Sequence, residues 1–346
     1  GGATASSSSS SSGAAGGLPE AELFVLPESI GGLEALHTWD HDFLSLEGRQ
    51  LQQLAASIFR ESGLLDQFHV RPQTLAAFLD GLCANYHANP YHNFQHAVHV
   101  LHGVFMHLRC GVGSASYCSD VTPLESFALM VAAIGHDVDH PGVTNAFLVS
   151  SGAPLALRYN DRSVLENHHT ATTFEILARP GCNVLEGLLP EQYREARTII
   201  VSTILATDMA FHSTMVKDLT QCAADRNPVP RIEVLRTFLH LADLGNCALA
   251  WEFAEEWSVR VSAESLSQAA EELRLGLPSP FTKLTPHTRE EIIARQLVFI
   301  DGWVQPLYKA AAILFPGARD RLQVVVRNRE ICKEVVQATS QSTAVD

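Results

Sequence analysis

Six histidines, His87, His92, His96, His99, His102 and His107, fall within 21 residues of a chain that holds 16 histidines in 346 residues. Histidine is the commonest metal ligand and the usual acid or base near neutral pH, so spacing decides whether the cluster is a site. In YHNFQHAVH, residues 91–99, His92 and His96 are four apart. On a helix that puts them on one face about a turn from each other, with His99 on the side of His96. A polar helix face explains such a pair taken alone; further segments weigh against it. IGHDVDHPG, residues 134–142, sets His136 and Asp137 at the end of an apolar run, with His140 four residues after His136 and Pro141-Gly142 to end the helix beside a ligand. HLADLGNCALAW, residues 240–251, places Asp243 in an apolar context with no Lys or Arg nearby in sequence. An aspartate is almost never fully buried unless it is paired or bound to metal. YNDRSVLENHH, residues 159–169, holds Asn160, Asp161, Glu166, Asn167, His168 and His169. Asp161 or Ser163 reads there as a helix N-cap, with Glu166 closing a box from Ser163, which leaves the histidine pair unexplained. LATDMAFH, residues 205–212, ends an apolar helix in Thr207-Asp208.

These segments offer imidazoles and carboxylates and no thiolate. Two histidines with two aspartates suit zinc, or a mixed pair in which a harder ion such as Mg²⁺ or Mn²⁺ shares a carboxylate. Asp137 can bridge two ions with its two oxygens. Ions about 3.5–4 Å apart clamp the attacking and leaving oxygens of a phosphoryl displacement, and they lower the pKa of bound water towards about 7. That supplies a metal-bridging hydroxide at neutral pH. A histidine outside the metal set then protonates the leaving oxygen, and His92, one turn from His96, is the natural general acid.

Such a site requires several helix ends to meet. Helix-period apolar spacing recurs over 48–60, 72–86, 123–135, 189–206, 231–243, 249–275, 288–315 and 318–337, with Pro72, Pro123 and Pro190 at or near starts. Turn-rich clusters at 112–123 and 276–287 separate runs. No period-2 alternation with hairpin signals and no repeat of 20–50 residues occurs, and the β-branched QVVVRN at 323–328 keeps helical neighbours. The expected fold class is all-α, a compact multi-helix bundle from residue 20 to 340. Residues 1–18 are low-complexity Gly/Ser/Ala, a flexible linker or tail that suggests an upstream domain.

Composition narrows the function classes. Hydrophobic residues at 46% against 18% charged exclude wholesale disorder. Lys+Arg 24 against Asp+Glu 38 gives a net charge of −14, which disfavours nucleic acid as a partner. A small anionic substrate then needs something positive inside the site, such as a metal ion. No run of 18 or more apolar residues appears, so no transmembrane segment is expected, and no secretory signal is visible. Seven cysteines without a CxxC pair point to neither a disulfide framework nor a thiolate zinc site, and to a cytoplasmic, intracellular setting.

YHNxxH, HDxxHxGxxN (His136 to Asn145), YNDxSVLENHH, ATDM and ADLxN, in this order, closely resemble the catalytic domain of class I 3′,5′-cyclic-nucleotide phosphodiesterases. RQLVFIDGWVQPLY at 295–308 resembles that family's QxxFIDxxxxPL segment, and the similarity runs from roughly residue 40 to 315. The resemblance implies an all-helical fold with a deep pocket over a binuclear metal site, and hydrolysis of cyclic nucleotides, cAMP with cGMP possible, to 5′-monophosphates. It makes His96, His136, Asp137 and Asp243 ligands of a tightly held zinc, with Asp137 shared by a second ion, magnesium or manganese, that is otherwise ligated mostly by water. It makes His140, Glu166, Thr207 and Asp208 the groups that orient those waters, and His92 the general acid for O3′. Gln296 and Phe299 become the base-binding pair, Asn246 a contact to the base, and Tyr91 a residue that shapes the pocket.

Three departures from the family pattern bear on specificity. His99 stands where many relatives carry Asp, Gly245 where Ser is commoner, and Ser265 near where a large aromatic often walls the pocket. Gly245 is expected to loosen the backbone beside Asn246. Two other functions compete: an HD-type phosphohydrolase of other nucleotides, and a nucleotide sensor without turnover. The Gln296/Phe299 segment favours the cyclic-nucleotide reading over the first. The intact ligand set with His92 gives no support to the second.

Overall fold

The structure, a computed structural model, describes residues 19–111, 120–279 and 284–342. The expected tail at 1–18 and parts of the expected loops at 112–123 and 276–287 lie outside the described residues. Every regular element among those described is a helix. The apolar runs form Gly48–Glu61, Pro72–Cys83, Pro123–Gly135, Pro190–Leu205, Arg231–Asp243, Trp251–Arg274 and Pro316–Ser342. QVVVRN lies inside the last of these. The run at 288–315 is interrupted: Arg289–Phe299 passes through a π turn, Ile300–Val304, into Gln305–Leu314. Pro306 explains the break, since it has no N–H to give the carbonyl four residues back. The 17-residue helix Phe94–Cys110 carries most of the histidine cluster.

The centre is Pro123–Gly135. Its sequence from Phe127 to Gly135 is apolar all round, and each of those residues is buried. Thr122 and Glu125 start it with a reciprocal capping box, Thr122 Oγ1 accepting from Glu125 N at 3.2 Å and Glu125 Oε2 from Thr122 N at 2.7 Å. It packs against Pro190–Leu205 and Phe94–Cys110, and the latter packs against Arg231–Asp243.

Two glycines fix separations that matter for the site. A Cβ at Gly103 would lie 2.9 Å from Ala242 Cβ, so glycine lets the helices carrying His96 and Asp243 approach closely. A Cβ at Gly135 would lie 2.5 Å from Thr173 Oγ1. Most buried apolar side chains join one core, with Trp257, Tyr308, Phe43 and Phe59 among its largest members; Phe147, Leu148, Ala156, Val164 and Leu165 form a satellite. The run Arg289–Leu314 is long and apolar enough in part to cross a membrane, a property shared by core helices. Its Ile293, Ile300, Val304 and Leu307 are buried in the bundle.

Candidate active site and metal centre

Three helix ends supply the four expected ligands. Asn93 caps Phe94–Cys110, its Oδ1 accepting from Gln95 N at 2.9 Å and His96 N at 3.2 Å, so His96 sits in the first turn. His92 precedes the cap. It is therefore not on a helical face with His96, as the four-residue spacing suggested, but in the turn before it. Pro123–Gly135 stops at Gly135, and the chain turns so that His136 and Asp137 face one point instead of diverging. His140 likewise lies beyond the helix, after Asp139, whose φ of 63° lies in the left-handed region. Asp243 ends Arg231–Asp243.

Helix ends in a protein interior leave carbonyls to satisfy. Tyr86 Oη donates to Ile134 O at 3.0 Å, Thr173 Oγ1 to Gly135 O at 3.0 Å, and His136 Nδ1 to Ala133 O at 2.8 Å. On the Asp243 helix, Tyr308 Oη donates to Leu241 O at 2.9 Å.

The His136 bond fixes more than the helix end. With Nδ1–H spent on Ala133, neutral His136 turns the lone pair of Nε2 towards two carboxylates, Asp137 Oδ2 at 3.2 Å and Asp243 Oδ1 at 3.4 Å. Only a proton or a cation relieves that arrangement. His96 Nε2 stands 3.1 Å from Asp243 Oδ1 and 3.5 Å from Asp137 Oδ2. Donors about 2.0–2.1 Å from a tetrahedral ion lie about 3.3–3.4 Å from one another, so the four atoms fit one divalent ion. Without an ion, burial opposes charge on His136, but Asp137 and Asp243 hold it protonated well above the ordinary histidine range. Burial likewise opposes the charge on both aspartates, and His136 with its neighbours keeps them well below the usual carboxylate range.

Asp137 belongs to a second group of donors, with His140 and His169. His169 Nδ1 donates to Val138 O at 2.8 Å, which leaves Nε2 facing Asp137 Oδ1 at 3.7 Å. The two carboxylate oxygens of Asp137 thus face two different sets of nitrogens. The histidine pair left over by the sequence divides here: His169 serves this group, whereas His168 pairs with Asp139 at 2.7 Å.

The expected capping box from Ser163 to Glu166 does not form. Ser163 has a φ of 43°, and its hydroxyl donates to Asp208 Oδ2 at 2.7 Å. Glu166 instead accepts from Asn145 Nδ2 at 2.9 and 3.2 Å, and Asn145 Oδ1 accepts from Leu165 N at 2.9 Å. One side chain from outside the helix therefore caps it and orients its glutamate. Burial pushes the Glu166 carboxyl up to about 7, with Asn145 opposing and Asp208 reinforcing. Thr207 Oγ1 donates to Ile204 O at 2.8 Å, holding the turn that carries Asp208.

Glu264 was not anticipated from the sequence. Its Oε1 pairs with His92 Nδ1, and its Oε2 accepts from Tyr91 N and His92 N, each at 3.0 Å. The signal was its helical phase, an acid on the inward stripe of Trp251–Arg274 that also buries Ala254, Trp257, Ser258 and Ser262. Burial opposes the His92 cation, but the Glu264 bond and the charges of Asp137, Glu264 and Asp243 raise its pKa above the ordinary value. His140 stacks on His92 with ring centroids 3.9 Å apart and is held neutral by burial and by the His92 charge. His92 thus presents an oriented, proton-loaded imidazole, its side chain 31% exposed.

These groups share one cavity of about 560 Å³, lined also by Tyr91, Asn246, Gln296 and Phe299. All thirteen expected site residues are brought together except His96 and His136, which lie behind the lining, beneath Asp137 and Asp243. Among the described residues, Asp137, Glu166, Asp208, Asp243 and Glu264 line the cavity against Arg295 as the one Arg or Lys. An anion enters such a cavity only with cations in it, which agrees with the donor geometry. Gln296 Nε2 donates to Ala254 O at 3.3 Å, while Gln296 Oε1 and Asn246 Oδ1 are buried without hydrogen-bond partners. His99 is a core residue, stacked on Trp257 at 5.7 Å and held neutral by burial. The wall around Ser265, expected to lack a large aromatic, carries Val261, Ser262 and Ser265.

Residues 91–325 match the family profile described as 3′5′-cyclic nucleotide phosphodiesterase. The chain is 36% identical over 304 residues to the 3′,5′-cyclic-nucleotide phosphodiesterase regA of Dictyostelium discoideum, covering 86% of this chain and 38% of that protein. It is 34% identical over 316 residues to the mouse 3′,5′-cyclic-AMP phosphodiesterase 4C, covering 86% of this chain and 45% of the relative. The chain thus spans less than half the length of these curated relatives. The crystal structure of the phosphodiesterase domain of the RhoPDE fusion protein from the choanoflagellate Salpingoeca rosetta superposes with a TM-score of 0.83 at 33% identity, covering 88% of this chain and 97% of that one.

Proposed function

Because the chain belongs to the 3′,5′-cyclic nucleotide phosphodiesterase family, we propose that it hydrolyses 3′,5′-cyclic nucleotides to nucleoside 5′-monophosphates, preferring cAMP and admitting cGMP. The observation that carries this reading is the opening of three groups into one cavity: the four-donor cluster, the His92–Glu264 pair and the Gln296/Asn246 acceptors. His96, His136, Asp137 and Asp243 would hold zinc, a metal that suits nitrogen and carboxylate donors in tetrahedral array. Asp137 would also hold a magnesium or manganese ion, with His140, Glu166, Thr207 and Asp208 orienting its waters. When bound, the ions supply water activation and neutralise phosphoryl charge.

The chain's own groups do the rest. Water attacks phosphorus and loses one proton to solvent, the P–O3′ bond breaks, and His92 gives its proton to O3′ as that oxygen leaves, regaining one from solvent afterwards. Glu264 supports the transfer by stabilising the imidazolium until the proton goes. Tyr91 packs edge-on to His92, with ring centroids 4.8 Å apart, and limits the ring's movement. Phe299 offers a ring face to the base. Turning the Gln296 amide over would oppose its oxygen to the Ala254 carbonyl, so the acceptor end is held towards the ligand. An acceptor there matches the 6-amino group of adenine and opposes O6 of guanine. The small wall at Val261, Ser262 and Ser265 leaves room for the guanine ring to shift, which admits cGMP at a cost.

Residues 20 to 340 form the catalytic domain in this reading, with a regulatory or targeting domain upstream. Free thiols at Cys83, Cys110, Cys182, Cys222, Cys247 and Cys332 suit an intracellular setting. Initial-rate kinetics on cAMP and cGMP side by side, with the product identified, test the reading. A higher kcat/KM for cAMP and release of 5′-AMP are expected. Hydrolysis only of non-cyclic nucleotides, or binding without turnover, would refute it.

A further inference from the structure

The turn Leu244–Ala248 joins the helix that ends in Asp243 to the helix that begins at Trp251, and it carries Asn246 into the cavity. The helical turn stops at Ala248 and the next helix begins at Trp251, so the carbonyls at this exit, in the interior, need partners from elsewhere. The carbonyls of residues 247, 248 and 249 and the N–H of Ala250 find theirs in side chains distant in sequence. Asn328 is fully buried, and its Nδ2 donates to Cys247 O at 3.0 Å and Leu249 O at 2.8 Å. Arg321 Nη1 donates to Ala248 O at 3.2 Å. Asp40 Oδ1 accepts from Ala250 N at 2.8 Å, while its Oδ2 lies 3.6 Å from Arg321 Nη1. Arg321 and Asn328 are seven residues apart, two turns of one helix face, with buried Val325 between them.

We propose that Asn328 and Arg321 are positioning residues that set substrate affinity through Asn246. Three successive carbonyls, those of residues 247, 248 and 249, are pinned to one helix immediately after the side chain that meets the base. Asn328 stands beyond residue 325, where the family match ends. This changes the expectation for Gly245. A Cβ there would meet His99 Cε1 at 3.6 Å, an ordinary contact, and the turn is tied down from its other end whatever freedom glycine gives it. The inference rests on the proposed pocket, in which Asn246 touches the substrate.

The test uses the full chain with its metals. Asn328→Ala is expected to raise KM for cAMP about 5- to 10-fold, the size of one weakened hydrogen bond, with kcat and metal content nearly unchanged. Arg321→Met, at a less buried side chain, should move KM in the same direction and carries the test where Asn328→Ala does not fold. Val325→Ala removes buried volume from the same face but no carbonyl partner. It should lower the melting temperature and leave KM alone. In an Asn246→Ala background, Asn328→Ala should add nothing to KM. Unchanged KM in folded Asn328→Ala and Arg321→Met, an equal KM rise in Val325→Ala, or multiplying effects in the double variant would overturn the positioning role. An unchanged KM in Asn246→Ala alone would instead overturn the pocket reading.

Discussion

Replacing Glu264 with glutamine keeps the shape of the side chain and removes its charge. In the native site Oε2 takes two backbone N–H groups at 3.0 Å, so in Glu264→Gln the amide oxygen is held there and the NH₂ faces His92 Nδ1. The NH₂ can donate to neutral His92 but repels its N–H when the ring is protonated. The variant therefore disfavours the imidazolium on which the proposed proton transfer to O3′ depends. A hydrogen bond to a charged group is worth about 1.5–3 kcal/mol, or about 10- to 150-fold in kcat near neutral pH. The native raised pKa keeps His92 protonated to higher pH, so the alkaline limb of kcat/KM should move to lower pH by at least about one unit in the variant. Rate profiles from about pH 6 to 9, with zinc measured on the same samples, check both expectations. An aryl phosphodiester, whose leaving phenolate needs no proton, should lose far less than cAMP. His92→Ala sets the limit of the effect, a loss of about 10²–10⁴ in kcat with metal retained. Equal losses on both substrates, or an unmoved alkaline limb, would refute the argument and reduce Glu264 to a backbone anchor.

Asp243→Ala should abolish turnover and lower bound zinc, measured by elemental analysis, with the helical circular dichroism largely kept. Chelation should silence the wild type, and added zinc with Mg²⁺ or Mn²⁺ should restore it. Gly103→Ala should cost about 1–3 kcal/mol in thermal or denaturant unfolding and weaken zinc retention, because its Cβ would press on Ala242 beside Asp243. Metal-free protein should lose stability as pH rises. The raised pKa of His136 contributes stability that is complete below about 6.5 and is lost as pH rises through the folded value. The depressed pKa values of Asp137 and Asp243 act oppositely, contributing above about pH 4 and failing in acid. Melting temperatures with and without chelator should therefore diverge increasingly on the alkaline side.

The helices were legible because their apolar periods are long, and most boundaries fall within a few residues of the expected ones. Local register near the site was less so. His92 and His96 have helical spacing, yet Asn93 between them is the better N-cap, and a cap starts the helix after itself. Ser163 and Glu166 have the spacing of a capping box, but Asn145 and Asp208, close in space, compete for the same groups and win. Glu264 escaped notice because nothing local marks it; its partners are more than 170 residues away in the chain. The donor types that form the four-donor cluster were legible because the sequence confines them to histidine and aspartate. The lone-pair directions of His136 and His169 were not, since each depends on which carbonyl takes the other ring nitrogen.

Those carbonyls connect the fold to the chemistry. Ala133, Ile134 and Gly135 lose their helical partners when the helix stops in the interior, and side chains must replace them. His136 serves as one of those side chains, so the act of ending the helix also fixes its tautomer and aims Nε2 at two carboxylates. Val138 does the same for His169 on the other oxygen of Asp137. The electrostatic problem this creates is local, confined to a few side chains between helices that are packed by apolar contacts. A proton on His136 relieves part of it and a divalent ion relieves more, because the ion draws on all four donors. The bundle is therefore expected to fold without a metal, with a cost at this cluster that rises with pH as His136 gives up its proton.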